Sequence, residues 1–231
     1  MYINQQEYYR KRANIIEELK DCKIKLVYTK ESNFLLEDKP KKNDSLVPTY
    51  TVNIQTPNDP SIPTKTAVYH ELSHVLWDSF MNGSFAILEK WAKETTLKLF
   101  HRKMIISQGS STPTNIPNHI QHNVDDIQQE MNQYIQSIYK SCFNCLEDQR
   151  IESLTRQIWL ATENMFDQAK NQLGQELDDE ILSSSEHLLA ARFNRPELTN
   201  SNYIEAMKDV EETGKTGTIT VMYKIKTLID K

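Results

Sequence analysis

The segment His70-Glu71-Leu72-Ser73-His74 combines two metal-binding imidazoles and one carboxylate within five residues. On an α-helix, residues four apart lie on the same face about one turn apart, so His70 and His74 can converge on one metal ion. Glu71 lies beside that face, where its carboxylate can accept a proton from a metal-activated water. The spacing therefore predicts a zinc site at which water attacks a carbonyl carbon.

The residues on either side of this segment predict that it belongs to a buried helix. Ala67-Val68-Tyr69 precede it and Val75-Leu76-Trp77 follow it, and all six residues are uncharged. A helix that is apolar on most sides is a buried one. The alternative interpretation is that two histidines of such a helix simply pack in the core without a metal.

A catalytic zinc site keeps three protein ligands and one open position, so a third ligand must come from elsewhere. A third histidine at the extended H-E-x-x-H spacing is absent, because Phe80 occupies that position. A predicted helix further along the chain offers three carboxylates within six residues. Glu147 is the first choice for the metal ligand, followed by Asp148 and then by Glu152.

Acids of this second segment that do not bind the metal can orient a histidine or an arginine instead. Arg150, three residues after Glu147, and Asp78, one turn beyond His74, are candidates for such a supporting position. The alternative is a solvated helix face on which charged residues form i,i+3 and i,i+4 pairs.

The HELSH sequence at 70–74 and the LEDQRIE sequence at 146–152 together resemble the paired motifs of a family of metallopeptidase-like domains. Those domains occur beside von Willebrand A modules, in cobalt-chelatase-like subunits linked to AAA ATPases, and in viral relatives. The LLAARF sequence at 188–193 is similar to the same family, so that the resemblance extends over about residues 66–195. It implies a gluzincin-like helical core with a glutamate ligand, and it implies an AAA ATPase or von Willebrand A protein as a partner.

Composition excludes several other classes of protein. The net charge of the 231 residues is −5 and basic residues are scattered, which argues against nucleic acid as the main partner. No segment approaches eighteen consecutive apolar residues, so we expect no membrane partner. Three cysteines predict no disulfide framework, and Cys142 and Cys145 are expected to be buried packing residues. We therefore expect a cytoplasmic location, or a virion-associated one if the protein is viral.

Hydrophobic periodicity predicts an α+β fold that is mostly helical, with a zincin-like helical core and a small N-terminal sheet. We expect a single domain over residues 1–231, with a strand-containing part over about 1–65 and a helical metal-binding part over about 66–212. The predicted helices cover 3–21, the HELSH segment, 84–100, 176–192 and 200–212. Residues 123–172 are predicted to form either one long helix or two consecutive helices. The predicted strands cover 22–28, 49–54 and, at the C-terminus, 217–226.

The predicted function is zinc-dependent hydrolysis of peptide bonds in a peptide or protein substrate, with Glu71 as general base. Arg150 and His187 are candidates for stabilising the oxyanion of the transition state. The competing hypothesis is a non-catalytic module that keeps zinc for folding and serves interaction or assembly, such as an ATPase adaptor or a virion component.

Overall fold

The computed structural model describes residues 5–29, 33–38, 47–55, 62–79, 83–108, 118–177, 180 and 183–229. Within these ranges, eight α-helices and three strands form an α+β fold in which helix predominates, which confirms the predicted fold class. None of the described helices is long and apolar enough to cross a membrane.

The N-terminal part consists of one helix and a small mixed sheet. The helix α1 (Gln5–Lys20) is followed by β1 (Lys23–Thr29), β2 (Asn33–Asp38) and β3 (Thr49–Gln55). The strand order is β1-β3-β2, with β1 parallel to β3 and β2 antiparallel to it. The sequence predicted α1, β1 and β3 but not β2, because Phe34-Leu35-Leu36 is a short apolar run without two-residue alternation.

The helix α2 (Ile62–Leu76) carries the HELSH segment and is held against this sheet. Its buried residues Val68, Leu72 and Val75 belong to the same apolar cluster as Ile24 of β1 and Val52 of β3. The three positions on α2 follow the spacing of one helix face. Packing of that face on the sheet leaves the two histidines of α2 directed away from the sheet, toward the rest of the molecule.

The remaining described elements form a second, helical layer. They are α3 (Ser84–Gln108), α4 (Asn118–Ile158), α5 (Glu163–Gln175), α6 (Ser184–Arg192), α7 (Ser201–Thr213) and α8 (Thr218–Ile229). Phe143 and Leu146 of α4 lie at the centre of a second apolar cluster, with Leu188 of α6 and Val210 of α7. The long helix α4 also contacts α2, so that the two clusters meet where the HELSH and LEDQRIE segments face each other.

The predicted C-terminal strand at 217–226 is wrong, because Thr218–Ile229 is the helix α8. The sequence here alternates at Ile219, Val221, Tyr223 and Ile225, which favoured a strand. However, Thr218, Val221, Met222 and Ile225 are the buried positions, and they follow helical spacing. Ile219 and Tyr223 remain 58% and 68% exposed. Packing against the long helix α4 decided between two periodicities that the same residues both satisfy.

Candidate metal centre

His70 and His74 lie one turn apart on α2 and meet Asp148 of α4. The two Nε2 atoms are 3.2 Å apart. Oδ1 of Asp148 lies 3.5 Å from Nε2 of His70 and 3.4 Å from Nε2 of His74. Three potential ligand atoms from two helices thus form a nearly equilateral triangle.

This triangle has the dimensions that a tetrahedral zinc ion requires. Zinc bonds to nitrogen and oxygen are about 2.0–2.1 Å long, which places neighbouring ligand atoms of a tetrahedron roughly 3.3–3.4 Å apart. The three observed separations, 3.2, 3.4 and 3.5 Å, fall close to this edge length. Two histidines and one carboxylate are also an established type of donor set for zinc. The residues of this site therefore fit a zinc ion. They provide three of its four tetrahedral ligands and leave the fourth coordination position open.

In His70 and Asp148, the polar side-chain atom that does not belong to the triangle contacts a neighbouring residue. Nδ1 of His70 lies 3.0 Å from Oε1 of Glu152, so a proton on Nδ1 directs the Nε2 lone pair toward the site. Nη1 of Arg192 donates to Oδ2 of Asp148 at 2.8 Å, which leaves Oδ1 facing the histidines. Nη2 of Arg192 also donates to Oε1 of Glu152 at 2.7 Å. A single guanidinium therefore orients both carboxylates.

A further layer of contacts supports Glu152. Nζ of Lys170, on α5, lies 3.1 Å from Oε2 of Glu152 and donates to Oε1 of Gln149 at 2.6 Å. Lys170 is itself buried. Because Lys170, Arg192 and the two acids come from α4, α5 and α6, the site is built by helices that are distant in sequence.

The charges in this cluster favour a cation among the three ligand atoms. Burial by itself lowers the pKa of His70, but Asp148 and Glu152 outweigh it and raise this pKa to about 10. Burial raises the pKa of Asp148, yet Arg192 and His70 hold it well below its usual range. The pKa of Glu152 is likewise lowered by Arg192 and Lys170 against the effect of burial. A proton or a metal ion can supply the positive charge that these two carboxylates attract.

Glu71 lines a cleft of about 390 Å³ that opens beside this cluster. His70 and Asp148 also line it, together with residues of α5 and the end of α6. Burial raises the pKa of Glu71, while His70 and His74 act to lower it. A carboxylate that lines a cavity beside an imidazole can exchange a proton with a molecule bound there.

Glu147, the first choice for the metal ligand from the sequence, lies elsewhere. It is fully buried and accepts hydrogen bonds from Arg150, with Nε at 2.8 Å from Oε2, and from Oγ of Ser79 at 2.5 Å. This placement corrects the ranking of the acids, since it is Asp148 that groups with the histidines. The physical reason is that successive helix residues point about 100° apart, so only one of two adjacent acids can face α2.

Of the three residues that the sequence offered for a supporting position, only Glu152 contacts a histidine of the candidate site. Glu152 contacts the imidazole of His70, whereas Asp78 forms an ion pair with Lys20 of α1. Arg150 is bound to Glu147 and to the carbonyl oxygens of Trp77 and Gly214. The structure thus gives Arg150 a role in joining helices and does not place it at the cleft.

His187 and the cysteines also lie apart from the metal centre. His187 stacks on Tyr203, and its Nδ1 lies 3.2 Å from the carbonyl oxygen of Leu198. Cys142 and Cys145 are free and buried, as predicted for packing residues. Burial raises the pKa of each of these two thiols to about 12.

Two contacts at the candidate site, made by Arg192 and Lys170, have no local signal in the sequence. Arg192 was marked only through the LLAARF resemblance, without its carboxylate partners, and nothing in the sequence marked Lys170. Their partners lie forty-four and eighteen residues away, since Arg192 contacts Asp148 and Lys170 contacts Glu152. Helical spacing reveals neighbours only three or four residues apart, so contacts between helices carry no comparable local signal.

Together, fold and site define a predominantly helical α+β protein with a His-His-Asp cluster that fits a metal ion. No family model, no curated protein sequence and no solved structure matches this chain.

Proposed function

We propose that this protein is a zinc-dependent peptidase in which His70, His74 and Asp148 bind the metal and Glu71 is the general base. The observation that carries the proposal is the triangle of ligand atoms, with edges of 3.2, 3.4 and 3.5 Å, at the wall of a cleft that Glu71 also lines. Three protein ligands and access from a cleft are typical of catalytic zinc sites, whereas structural sites are closed by four ligands.

Zinc, when bound, supplies Lewis acidity that makes a water more acidic and polarises the carbonyl of the peptide bond. The chain supplies the rest of the chemistry. Glu71 accepts the proton of the attacking water as the oxygen adds to the carbonyl carbon, and it delivers this proton to the leaving amine as the C–N bond breaks.

Arg192 and Glu152 act through the ligands. Glu152 keeps the proton of His70 on Nδ1, and Arg192 holds Asp148 in the orientation that presents Oδ1. Because His70 and Asp148 are held by these partners before the metal arrives, less ordering is needed when the metal binds. The HELSH and LEDQRIE segments provide the three ligands, but the third is Asp148 and not the glutamate that the family resemblance implies. The proposed substrate is a peptide or protein.

The test of this proposal compares the wild-type chain with Glu71→Gln after loading with zinc. We expect both proteins to bind about one zinc ion with similar thermal stability, and only the wild type to cleave a mixed peptide library. The control is Glu163→Gln, which removes an exposed carboxylate from α5 and is expected to keep full activity. If wild-type protein with zinc bound cleaves no peptide, or if Glu71→Gln cleaves as fast, the proposal is rejected.

One feature favours the competing function of a zinc-stabilised interaction or assembly module. A metal bound here would join α2 to α4, and buried ion pairs of Asp148 and Glu152 already connect α4 to Lys170 of α5 and Arg192 of α6. In that case His70→Ala and His74→Ala would lower stability strongly, and Glu71→Gln would change neither stability nor any other property. Comparison of these three variants therefore separates the two functions.

A further inference from the structure

We propose that the face of α5 that lines the cleft binds an apolar side chain of the substrate and thereby sets the sequence preference of cleavage. The inference rests on the proposed peptidase function. Phe166, Ala169, Lys170 and Leu173 all line the cleft and follow i, i+3, i+4, i+7 spacing. They therefore form one continuous helix face opposite the metal centre.

The four positions of this face are mainly apolar, because the charged end of Lys170 is turned away. Nζ of Lys170 lies 3.1 Å from Oε2 of Glu152 and donates to Oε1 of Gln149 at 2.6 Å. Its positive charge is therefore paired beside the candidate metal site and does not face the cleft. Phe166, Ala169 and Leu173 are apolar, and Phe193, just after α6, continues the same wall. Two exposed polar residues, Gln172 of α5 and Glu176 directly after it, also line the cleft. Burial of a substrate's apolar side chain against such a wall is favourable in proportion to the area removed from water.

The cleft has room because two small residues line it from different helices. Ala67 lies one turn before His70 on α2, and Ala169 lies on α5. The resulting volume of about 390 Å³ falls within the size range of small-molecule binding sites. Leu173 is 44% exposed, so the wall also reaches the accessible end of the cleft.

The position of this wall is fixed by close backbone contacts. A Cβ atom at Gly174 would clash with the carbonyl oxygen of Phe193, which shows that α5 lies directly against the turn after α6. Nη1 of Arg195 donates to the carbonyl oxygen of Gly174 at 2.6 Å in the same place. The cleft is therefore held in a preformed shape, as expected for a site that selects among side chains.

The test uses the full chain loaded with zinc, as wild type and as three variants. Leu173→Lys places a positive charge at the accessible end of the wall, and Ala169→Leu fills the space beside it. Gln175→Lys is the matched control, because it adds the same charge to an exposed position of α5 that does not line the cleft. Circular dichroism confirms that each variant is folded before assay.

Two readouts are measured. The first is the residue preference around each bond cleaved in a peptide library, and the second is the affinity for acetohydroxamate and for 4-methylpentanohydroxamate, two zinc-binding compounds that differ in their apolar tail. In the wild type we expect a preference of about tenfold or more for Leu, Phe or Met over Asp or Lys on one side of the bond. The compound with the longer tail should bind about tenfold more tightly.

Leu173→Lys should lose both preferences and gain cleavage beside Glu, whereas Gln175→Lys should behave as the wild type. Ala169→Leu should shift the preference toward small residues. Identical profiles in Leu173→Lys and Gln175→Lys, or a wild type without any apolar preference, would overturn the inference.

The two readouts also separate this inference from the proposed function. Cleavage without an apolar preference would reject the α5 site and leave the peptidase function standing. Preferential binding of the longer hydroxamate, lost in Leu173→Lys, without cleavage of any peptide would leave the α5 site standing as a binding site and reject the peptidase function. If the zinc-loaded protein neither binds the hydroxamates nor cleaves a peptide, both are rejected.

Discussion

Glu147 and Asp148 are consecutive residues of α4, yet their carboxylates face different parts of the molecule. Oδ1 of Asp148 lies 3.4 Å from Nε2 of His74, at the candidate metal centre. Glu147 instead pairs with Arg150 in a fully buried position beside the end of α2. One acid is thus placed for binding a cation, and the other joins helices.

Replacing Asp148 with Asn should reduce zinc affinity by more than the roughly 10–100-fold that loss of an outer hydrogen-bond partner costs. The reason is that Asp148 provides one corner of the ligand triangle together with its negative charge. Competition with a chromophoric chelator measures the affinity. Glu147→Gln, kept folded at low temperature, is the comparison, and it should bind zinc as the wild type does. The assignment of ligands is reversed if Glu147→Gln loses the metal and Asp148→Asn retains it.

Glu147→Gln should lower the free energy of unfolding by about 3–5 kcal/mol, because it leaves the charge of buried Arg150 without its partner. Arg150 is only 2% exposed, so water cannot replace the carboxylate. Urea denaturation measures the change. The double variant Glu147→Gln/Arg150→Met should recover part of the loss, since no buried charge is then left unpaired. A loss below about 1 kcal/mol in the single variant would show that the pair is not as desolvated as its burial indicates.

Glu152→Gln should weaken zinc binding by about 10–100-fold without removing a ligand. Glu152 accepts from His70 and is paired with Lys170 and Arg192, so loss of its charge disturbs the orientation of the histidine and leaves two cations under-compensated. Isothermal titration with zinc measures the affinity. Glu163→Gln serves again as the exposed control, and equal affinities in the two variants would exclude this role for Glu152.

Gly214→Ala should destabilise the protein by about 1–3 kcal/mol through overpacking. A Cβ atom at this position would lie 2.8 Å from Cγ of Arg150, whose side chain is held by Glu147 and by two carbonyl oxygens and cannot move aside. Thermal denaturation measures the effect. Lys215→Ala, at the exposed neighbouring position, should be close to neutral. Similar melting temperatures for Gly214→Ala and wild type would mean that Arg150 is more mobile than its contacts suggest.

Removal of zinc with a chelator should lower the melting temperature, and added zinc should restore it. A ligand that binds only the folded state stabilises it by about 2.7 kcal/mol at a concentration of 100 times its Kd. Differential scanning calorimetry of the wild type and His74→Ala measures the shift. In the variant, chelator and zinc should have little effect, and an undiminished zinc response there would place the metal elsewhere in the chain.

Local patterns in the sequence were sufficient for most of the helices and for the spacing of the two histidines. The apolar face of α2 and the four-residue spacing of His70 and His74 are both properties of a single helix, so they follow from periodicity alone. The strand β2 was not found, because a strand whose apolar residues do not alternate has no periodic signal of its own. The helix α8 was predicted as a strand, since its residues satisfy two periods and only the contact with α4 selects one.

The sequence by itself therefore determined the mostly helical α+β fold class, the pair of histidines on a buried helix and the region of the chain that faces them. Only the tertiary structure decided which acid of that region, Asp148 or Glu147, lies beside the histidines, and that Arg192 and Lys170 hold the surrounding carboxylates. The physical reason is that helix rotation about its axis is set by packing against other helices. A rotation of one residue, about 100°, would exchange the roles of Glu147 and Asp148.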